Sequence, residues 1–418
     1  MRMILLGAVS AGFLFSCGES PKTAGHSVPL REWNDANNPF IMDTAFIQQN
    51  QYVQKFQDLP TKGELKKKPW SDDYWPTASG GISYRWNDSQ SSDTGRYAYS
   101  FVSPKNLTRF DLKRLSPSEK FDIFLGRMDY PYTKMERTRT EILRTVSSNS
   151  HYDPHFEIPE WEGLCHAWAP ATLFFDEPKP VVMTGRTGIE VPFGSSDIKA
   201  LLTYFLNEAE APSRFLGTRC EVDVNDLRNK YKRGMISKRS YQEQLESCSG
   251  VNPGAFHIVI ANQIGRLNEG FVVDVDPGPE VWNQPIYGFS TQVLSEHKGK
   301  SSNAAPSTVK ELEVRTRMDY IEEVEQSWEP SVKDGAAHKD YHYRLEIDAA
   351  GDIVGGVWLD ADHPDFAWKQ ELPSFGGDFI YVKEIYEASV GHEAPEHVIS
   401  NKPRARATRN FSSWFSRR

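Results

Sequence analysis

Three residues that could carry out nucleophilic chemistry follow one another along the chain: Cys165, His257 and Asp274. A cysteine attacks as its thiolate, and a histidine held by a carboxylate can take up the thiol proton and later return it. Gly163 allows a close backbone approach, and the apolar run after Cys165 favours a helix whose first turn would present the sulfur. We therefore predict a triad of Cys165 as nucleophile, His257 as base and Asp274 as orienter.

Two of these assignments have rivals in the sequence. His166 is adjacent to Cys165, but neighbouring residues on a helix point about 100° apart, so we interpret His166 as structural. Asp276 projects to the same face of a strand as Asp274, because side chains alternate with period two. The sequence does not separate the two aspartates cleanly, although Asp274 lies deeper in the apolar run.

Local patterns predict the elements that must position these residues. Apolar spacing and capping residues favour helices over 116–127, 165–175 and 197–209, with Pro170 either kinking the second or marking its first turn. Apolar runs indicate strands over 256–261 and 270–276, which would place His257 at a strand mouth and Asp274 on the neighbouring strand. Segments 341–348 and 353–359 alternate around a turn, as a hairpin does. We predict an α+β fold with an antiparallel sheet.

The ends of the chain differ from its centre in composition. Residues 1–16 resemble an export signal, and the residues before Cys17 resemble a bacterial lipobox, so we expect Cys17 to be lipidated and to anchor the chain to a membrane without spanning it. An ordinary signal peptide with an incidental cysteine is the alternative. We predict a tether over 17–65, a catalytic region over 66–390 with a loop or linker at 295–309, and a basic tail over 391–418.

The cysteine count and the net charge limit which cysteine can be a free thiol and which partners the protein can bind. Without Cys17, the cysteines are odd in number, and we expect Cys220 and Cys248 to pair in an oxidising compartment, leaving Cys165 free. A net charge of -9 argues against nucleic acid as a partner. The triad requires no cofactor.

The acidic segment over 360–371 could suggest a calcium-binding loop. Its acidic residues are Asp360, Asp362, Asp365 and Glu371. Pro364 and Asp365 stand where a calcium-binding loop needs a ligand and a glycine, so a solvated loop is favoured.

One further segment has a specific pattern. Residues 280–289 read EVWNQPIYGF, and the chain also contains GLCHAWAP at 163–170, NPG at 252–254 and WEP at 328–330. These motifs resemble the transglutaminase elicitor family, the oomycete cell-wall transglutaminases recognised by plants, over about residues 70 to 370. The resemblance implies a papain-like transglutaminase core, with the catalytic roles carried onto Cys165, His257 and Asp274. The lipobox and tail suggest a bacterial, surface-tethered relative.

Three functions are compatible with these residues. The resemblance favours acyl transfer from a protein or peptide glutamine to a primary amine through a Cys165 thioester. The same triad could instead serve a cysteine peptidase or a glutamine deamidase, because the acyl-enzyme chemistry is shared. A non-enzymatic surface-binding protein with an inert Cys165 is the third interpretation.

Overall fold

The computed structural model describes residues 33–43, 51–330 and 334–391 of the 418-residue chain. The predicted signal peptide, Cys17 and the basic tail from 392 onward lie outside these residues. Among the described residues, no helix has both the length and the apolar character of a membrane span.

Within the described ranges there are nine α-helices. They are α1 (Arg109–Arg114), α2 (Pro117–Phe124), α3 (Pro131–Thr140), α4 (Cys165–Phe174), α5 (Ser195–Glu208), α6 (Val224–Lys232), α7 (Lys238–Ser247), α8 (Pro253–Ile260) and α9 (Phe379–Ser389). The helices predicted over 116–127, 165–175 and 197–209 correspond to α2, α4 and α5, so these predictions are confirmed. Pro170 lies inside α4 without ending it.

The same ranges contain ten strands. They are β1 (Lys62–Glu64), β2 (Val181–Thr184), β3 (Glu190–Phe193), β4 (Ser213–Gly217), β5 (Phe271–Asp274), β6 (Asn283–Lys298), β7 (Lys310–Ile321), β8 (Ala336–Ile347), β9 (Ile353–Trp358) and β10 (Phe366–Gln370). The main sheet runs in the order β4-β10-β5-β6-β7-β8-β9, and β1 pairs with β6. Every pairing in it is antiparallel, as predicted.

The two faces of this sheet belong to two different hydrophobic cores. Alternate side chains of β5 show this division, since Val272 lies in the first core while Phe271 and Val273 lie in the second. The first core contains the buried side chains of α2, α4 and α5, and the second contains those of α8. Successive residues of a strand therefore face alternately the core of α4 and the core of α8.

Buried polar contacts fix α2 against α5 on the first face. The Ser116 side chain caps α2 in a reciprocal box with Glu119, which satisfies donors that the first turn leaves free. Lys120 and Asp197 then form a fully buried ion pair with Nζ and Oδ2 2.6 Å apart. Because α5 packs against α4, these contacts support the helix that begins at Cys165.

Two predicted boundaries and one predicted strand need correction. The tether does not extend to residue 65, because β1 pairs with β6 and the side chains of Tyr52 and Leu59 are buried in the second core. Residues 295–298 belong to β6, so the polar segment 295–309 is the loop of the β6–β7 hairpin with the strand end before it. The strand predicted over 256–261 is wrong, because these residues lie in α8 and in the π-helical turns Ala261–Leu267 that continue it.

Candidate active site

Cys165 is the first residue of α4, as the sequence predicts. Gly163 makes this placement possible, because a Cβ atom there would lie 2.5 Å from the Tyr74 ring and 2.9 Å from its carbonyl oxygen. The backbone N–H of Leu164 donates to that same Tyr74 carbonyl at 2.7 Å. All residues from Cys165 to Thr172 are buried, so α4 is a central helix packed on several sides.

The Cys165 sulfur is held by the segment just before and at the start of β6. The thiol donates to the Val281 carbonyl oxygen, with the two atoms 3.6 Å apart, and accepts from Asn283 Nδ2 at 3.4 Å. Burial raises the pKa of the Cys165 thiol to about 11, while the side-chain and backbone N–H groups of Asn283 act in the opposite direction. The resting sulfur is therefore a neutral thiol that needs a base to become a nucleophile.

Asn283 is itself fixed by two neighbours. Its Oδ1 accepts from the indole N–H of Trp368 at 2.7 Å, and both side chains are fully buried. Asn283 pairs with Asp274 in the β5–β6 register, so these two side chains lie on the α4 face of the sheet. The amide can then present its N–H groups to the thiol because its oxygen is already engaged.

Asp274 is the buried member of the aspartate pair. Its Oδ1 accepts from the backbone N–H of Trp282 at 3.0 Å, and among the described residues its Oδ2 has no hydrogen-bond partner. Burial raises the pKa of Asp274 well above its ordinary value. Asp276 is half exposed and forms an ion pair with Lys339. The structure therefore separates two residues that the sequence could not.

The structure does not bring His257 to Cys165. His257 lies on α8, in the second core, where its Nδ1 is 2.8 Å from the Tyr343 hydroxyl and its ring stacks on Phe56. Cys165 contacts the opposite face of the sheet through Asn283, which excludes His257 as its base in this arrangement. The prediction is wrong because Asn252 caps α8 and Pro253 occupies its first turn, so residues that resemble a turn before a strand begin a helix instead.

His166 has the structural role that the sequence suggested. Its Nε2 lies 3.0 Å from Asn207 Oδ1 on the neighbouring helix α5. Burial lowers the pKa of His166 to about 4, so the ring is neutral at physiological pH.

His338 is a histidine that sequence reasoning missed. It lies on β8 opposite Asp319, while the next pairing in the ladder joins Tyr320 of the second core to Ala337. His338 therefore shares the sheet face of Asn283 and α4. Its ring is exposed and has no hydrogen-bond partner among the described residues. The strand predicted over 341–348 begins three residues after His338. Extending its alternating pattern toward the N-terminus would have placed His338 on that strand.

The acidic residues of the possible calcium-binding loop have different partners in the structure. Asp362 Oδ1 lies 3.0 Å from Lys339 Nζ, and Asp360 Oδ1 lies 3.9 Å from His342 Nδ1. Asp365 is buried and accepts from the backbone N–H of Cys220. Across the described ranges, no group of three or more histidine, cysteine or acidic side chains is arranged to hold a metal ion.

The predicted disulfide is confirmed. Cys220 and Cys248 are bridged, and they enclose α6 and α7. Cys165 is a free, buried cysteine.

Comparison with known proteins identifies the family. The model of the family described as "Transglutaminase elicitor" matches residues 42–375. The chain belongs to the transglutaminase elicitor family. The crystal structure of the GP42 transglutaminase from Phytophthora sojae superimposes with a TM-score of 0.60 at 24% sequence identity, covering 85% of this chain and 99% of that one. That likeness shows a shared fold. No curated protein matches the chain.

Proposed function

We propose that this member of the transglutaminase elicitor family is a protein-glutamine γ-glutamyltransferase that acts through Cys165. The sulfur attacks the carboxamide carbon of a glutamine side chain, a C–S bond forms and ammonia leaves. A primary amine then attacks the thioester, forming the C–N bond and releasing the thiol. The observation that carries the proposal is the Cys165 thiol at the start of a buried helix, with the Asn283 amide donating to its sulfur.

The base that we propose for this reaction is His338. A thiol with a pKa of about 11 is almost wholly protonated at pH 7, so attack requires a group that takes its proton. His257 lies on the face of the sheet opposite Cys165, and His166 contacts Asn207. His338 lies on the sheet face of Asn283, two strands away from it and level with Gly288 of β6, so in this proposal its ring reaches the thiol only in the substrate complex.

Asp274 has a positioning role in this proposal. By accepting from Trp282 N–H, its carboxyl group holds the backbone between the two residues, Val281 and Asn283, that contact the thiol. Asp276 lies at the surface with Lys339. We expect Asp274→Ala, which removes the acceptor, to lower amine incorporation more than Asp276→Ala does, and the reverse ranking would transfer the role to Asp276.

Mass spectrometry of a glutamine peptide tests the function. The purified protein is incubated with the peptide, with and without a primary amine, and we expect the peptide to gain the mass of the amine minus that of ammonia. Deamidation or cleavage in both samples would instead identify a glutamine deamidase or a cysteine peptidase. An unchanged peptide under all conditions would favour a non-enzymatic surface-binding protein.

A matched pair of histidine variants tests the base. We expect His338→Gln to reduce amine incorporation by at least about a hundredfold, which is the usual contribution of a general base. His257→Gln should retain turnover per folded molecule, because its ring contacts Tyr343 and Phe56 on the other face. A hundredfold loss of amine incorporation in His257→Gln, with a native-like circular dichroism spectrum, would identify His257 as the base.

We propose, finally, that the protein is exported and anchored through a lipid on Cys17. The Cys220–Cys248 disulfide supports an oxidising compartment. Metabolic labelling with a fatty acid should mark the wild type and leave Cys17→Ser unlabelled. Equal labelling of both would reject the anchor.

A further inference from the structure

The helices α6 and α7 form a hairpin that the disulfide closes at its base. Cys220 and Cys248 lie just outside the two helices and are buried, and Leu227 of α6 is buried as well. Further along, the rings of Tyr231 and Tyr241 stack with their centroids 4.6 Å apart, which joins one helix to the other. The hairpin is therefore held both at its base and between its helices.

The far end of this hairpin concentrates positive charge. Residues 230–239, which we call the hairpin tip, read KYKRGMISKR and contain five cations and no acidic residue. All five cationic side chains are exposed. Two of them pair with acidic residues one turn further from the tip, Lys230 with Asp226 and Arg239 with Glu243. In the described part of the chain the other three have no ion-pair partner: Lys232, Arg233 and Lys238.

Helix stability does not account for this charge. The first turn of a helix favours acidic side chains, because the helix dipole is positive at that end. Helix α7 has no acidic residue in its first turn, and Lys238 and Arg239 occupy its first two positions. Exposed cations gathered at one end of a hairpin also repel one another. The charge of the hairpin tip therefore opposes folding slightly, on a chain whose net charge is -9, and it indicates a negatively charged partner.

An apolar side chain stands among these cations. Gly234 has a φ of +70° just after the end of α6, and the backbone N–H of Met235 donates to the Lys230 carbonyl oxygen, so the chain turns there. Met235 is 66% exposed, the largest fraction among the large apolar side chains of the described residues. Its side chain is thus available to a partner.

Cations around an exposed apolar side chain match a membrane surface. Anionic headgroups attract lysine and arginine, and the layer just below the headgroups accepts apolar side chains. A soluble polyanion would neutralise the cations but would leave Met235 in water. We infer that the hairpin tip binds the surface of an anionic phospholipid membrane. This contact is separate from the proposed active site and does not need the lipid proposed for Cys17.

Vesicle binding by the full-length protein tests the cations. Every protein compared carries Cys17→Ser, so that no lipid on that residue contributes. Affinities are measured for vesicles that contain phosphatidylglycerol and for vesicles of phosphatidylcholine alone. A cation near an anionic surface contributes about 1 kcal/mol, which is about fivefold in affinity. We therefore expect the triple variant Lys232→Gln, Arg233→Gln, Lys238→Gln to lower the anionic-to-neutral affinity ratio about a hundredfold.

The matched control removes the same charge elsewhere on the surface. It replaces three exposed lysines by glutamine: Lys62, Lys66 and Lys105. The control should keep most of the preference for anionic vesicles, because these lysines lie outside the hairpin tip. An unchanged ratio in the triple variant of the hairpin tip, or an equal fall in the control, would overturn the inference.

Met235 distinguishes a membrane from a soluble polyanion. Met235→Gln keeps every cation, and we expect it to lower the affinity for anionic vesicles about tenfold, or about 1.4 kcal/mol of apolar burial, without changing the affinity for polyphosphate. In hydrogen exchange, anionic vesicles should protect the amides of 230–239 in the protein with an intact hairpin tip and not in the triple variant. Unprotected amides, or wild-type vesicle affinity in Met235→Gln together with tight polyphosphate binding, would overturn the membrane assignment.

Discussion

Replacing Asn283 separates the chemical role of this amide from its structural role. Asn283 is fully buried, donates to the Cys165 sulfur and accepts from the Trp368 indole N–H. Asn283→Ala leaves the indole donor unpaired, which should lower the free energy of unfolding by about 2 kcal/mol. It also removes a hydrogen bond that lowers the pKa of the thiol. One such bond to an ionised group corresponds to about a tenfold change in thiolate population.

Two measurements on Asn283→Ala check these numbers. Urea unfolding gives the stability, and iodoacetamide labelling of Cys165 at pH 9 gives the thiol reactivity. Labelling of the wild type should rise from pH 9 to about 11, because the thiol ionises over that interval. We expect the variant to label about tenfold more slowly at pH 9.

Trp368→Phe is the matched control for Asn283→Ala. It deletes the same indole hydrogen bond from the other side and leaves the Asn283 contact with sulfur in place. We expect a similar loss of stability, about 1 to 3 kcal/mol, with thiol labelling within twofold of wild type. Equal labelling rates in wild type and Asn283→Ala would refute the reasoning, as would an equal decrease in both variants.

Three further predictions concern stability. Replacing Cys220 and Cys248 by serine should lower the free energy of unfolding by about 3 to 4 kcal/mol in non-reducing buffer, as loop entropy predicts for a separation of 28 residues. Burial raises the pKa of Asp72 from 3.8 to about 7, so the wild type loses stability as pH rises from 3.8 to about 7. Asp72→Asn should therefore be more stable than wild type in urea at pH 8, with the difference vanishing near pH 4. Lys120→Met leaves Asp197 without its buried cation, and calorimetry should show a loss of about 3 to 5 kcal/mol.

Sequence patterns predicted the helix of Cys165 because its signal is local. Gly163 and the apolar run after Cys165 specify a close approach and a buried helix, and the structure contains both. The disulfide could also be predicted from the sequence. Without Cys17 three cysteines remain, and Cys220 and Cys248 are the natural pair among them. The hairpin of β8 and β9 followed from strict alternation around a turn.

The errors arose where a helix-start signal was overlooked or where the deciding contact lies far away in the sequence. Residues 256–261 are rich in β-branched and apolar side chains, yet they lie in a helix that Asn252 caps and Pro253 begins, and the second core surrounds it. Strand β1 is short and polar, and it exists only because β6 pairs with it. The face of the sheet on which a histidine lies depends on how the strands pair. A short stretch of sequence does not show that pairing. This is why the sequence pointed to His257, which lies on the other face.

Trapping the acyl-enzyme tests the central claim most directly. The wild type is mixed with a glutamine peptide in the absence of amine, and the reaction is quenched in acid. The protein is digested, and mass spectrometry gives the mass of the fragment that carries Cys165. We predict that this fragment gains the mass of the peptide minus ammonia, that added amine removes the adduct, and that Cys165→Ala forms neither adduct nor conjugate. Amine incorporation at the wild-type rate by Cys165→Ala would contradict the account.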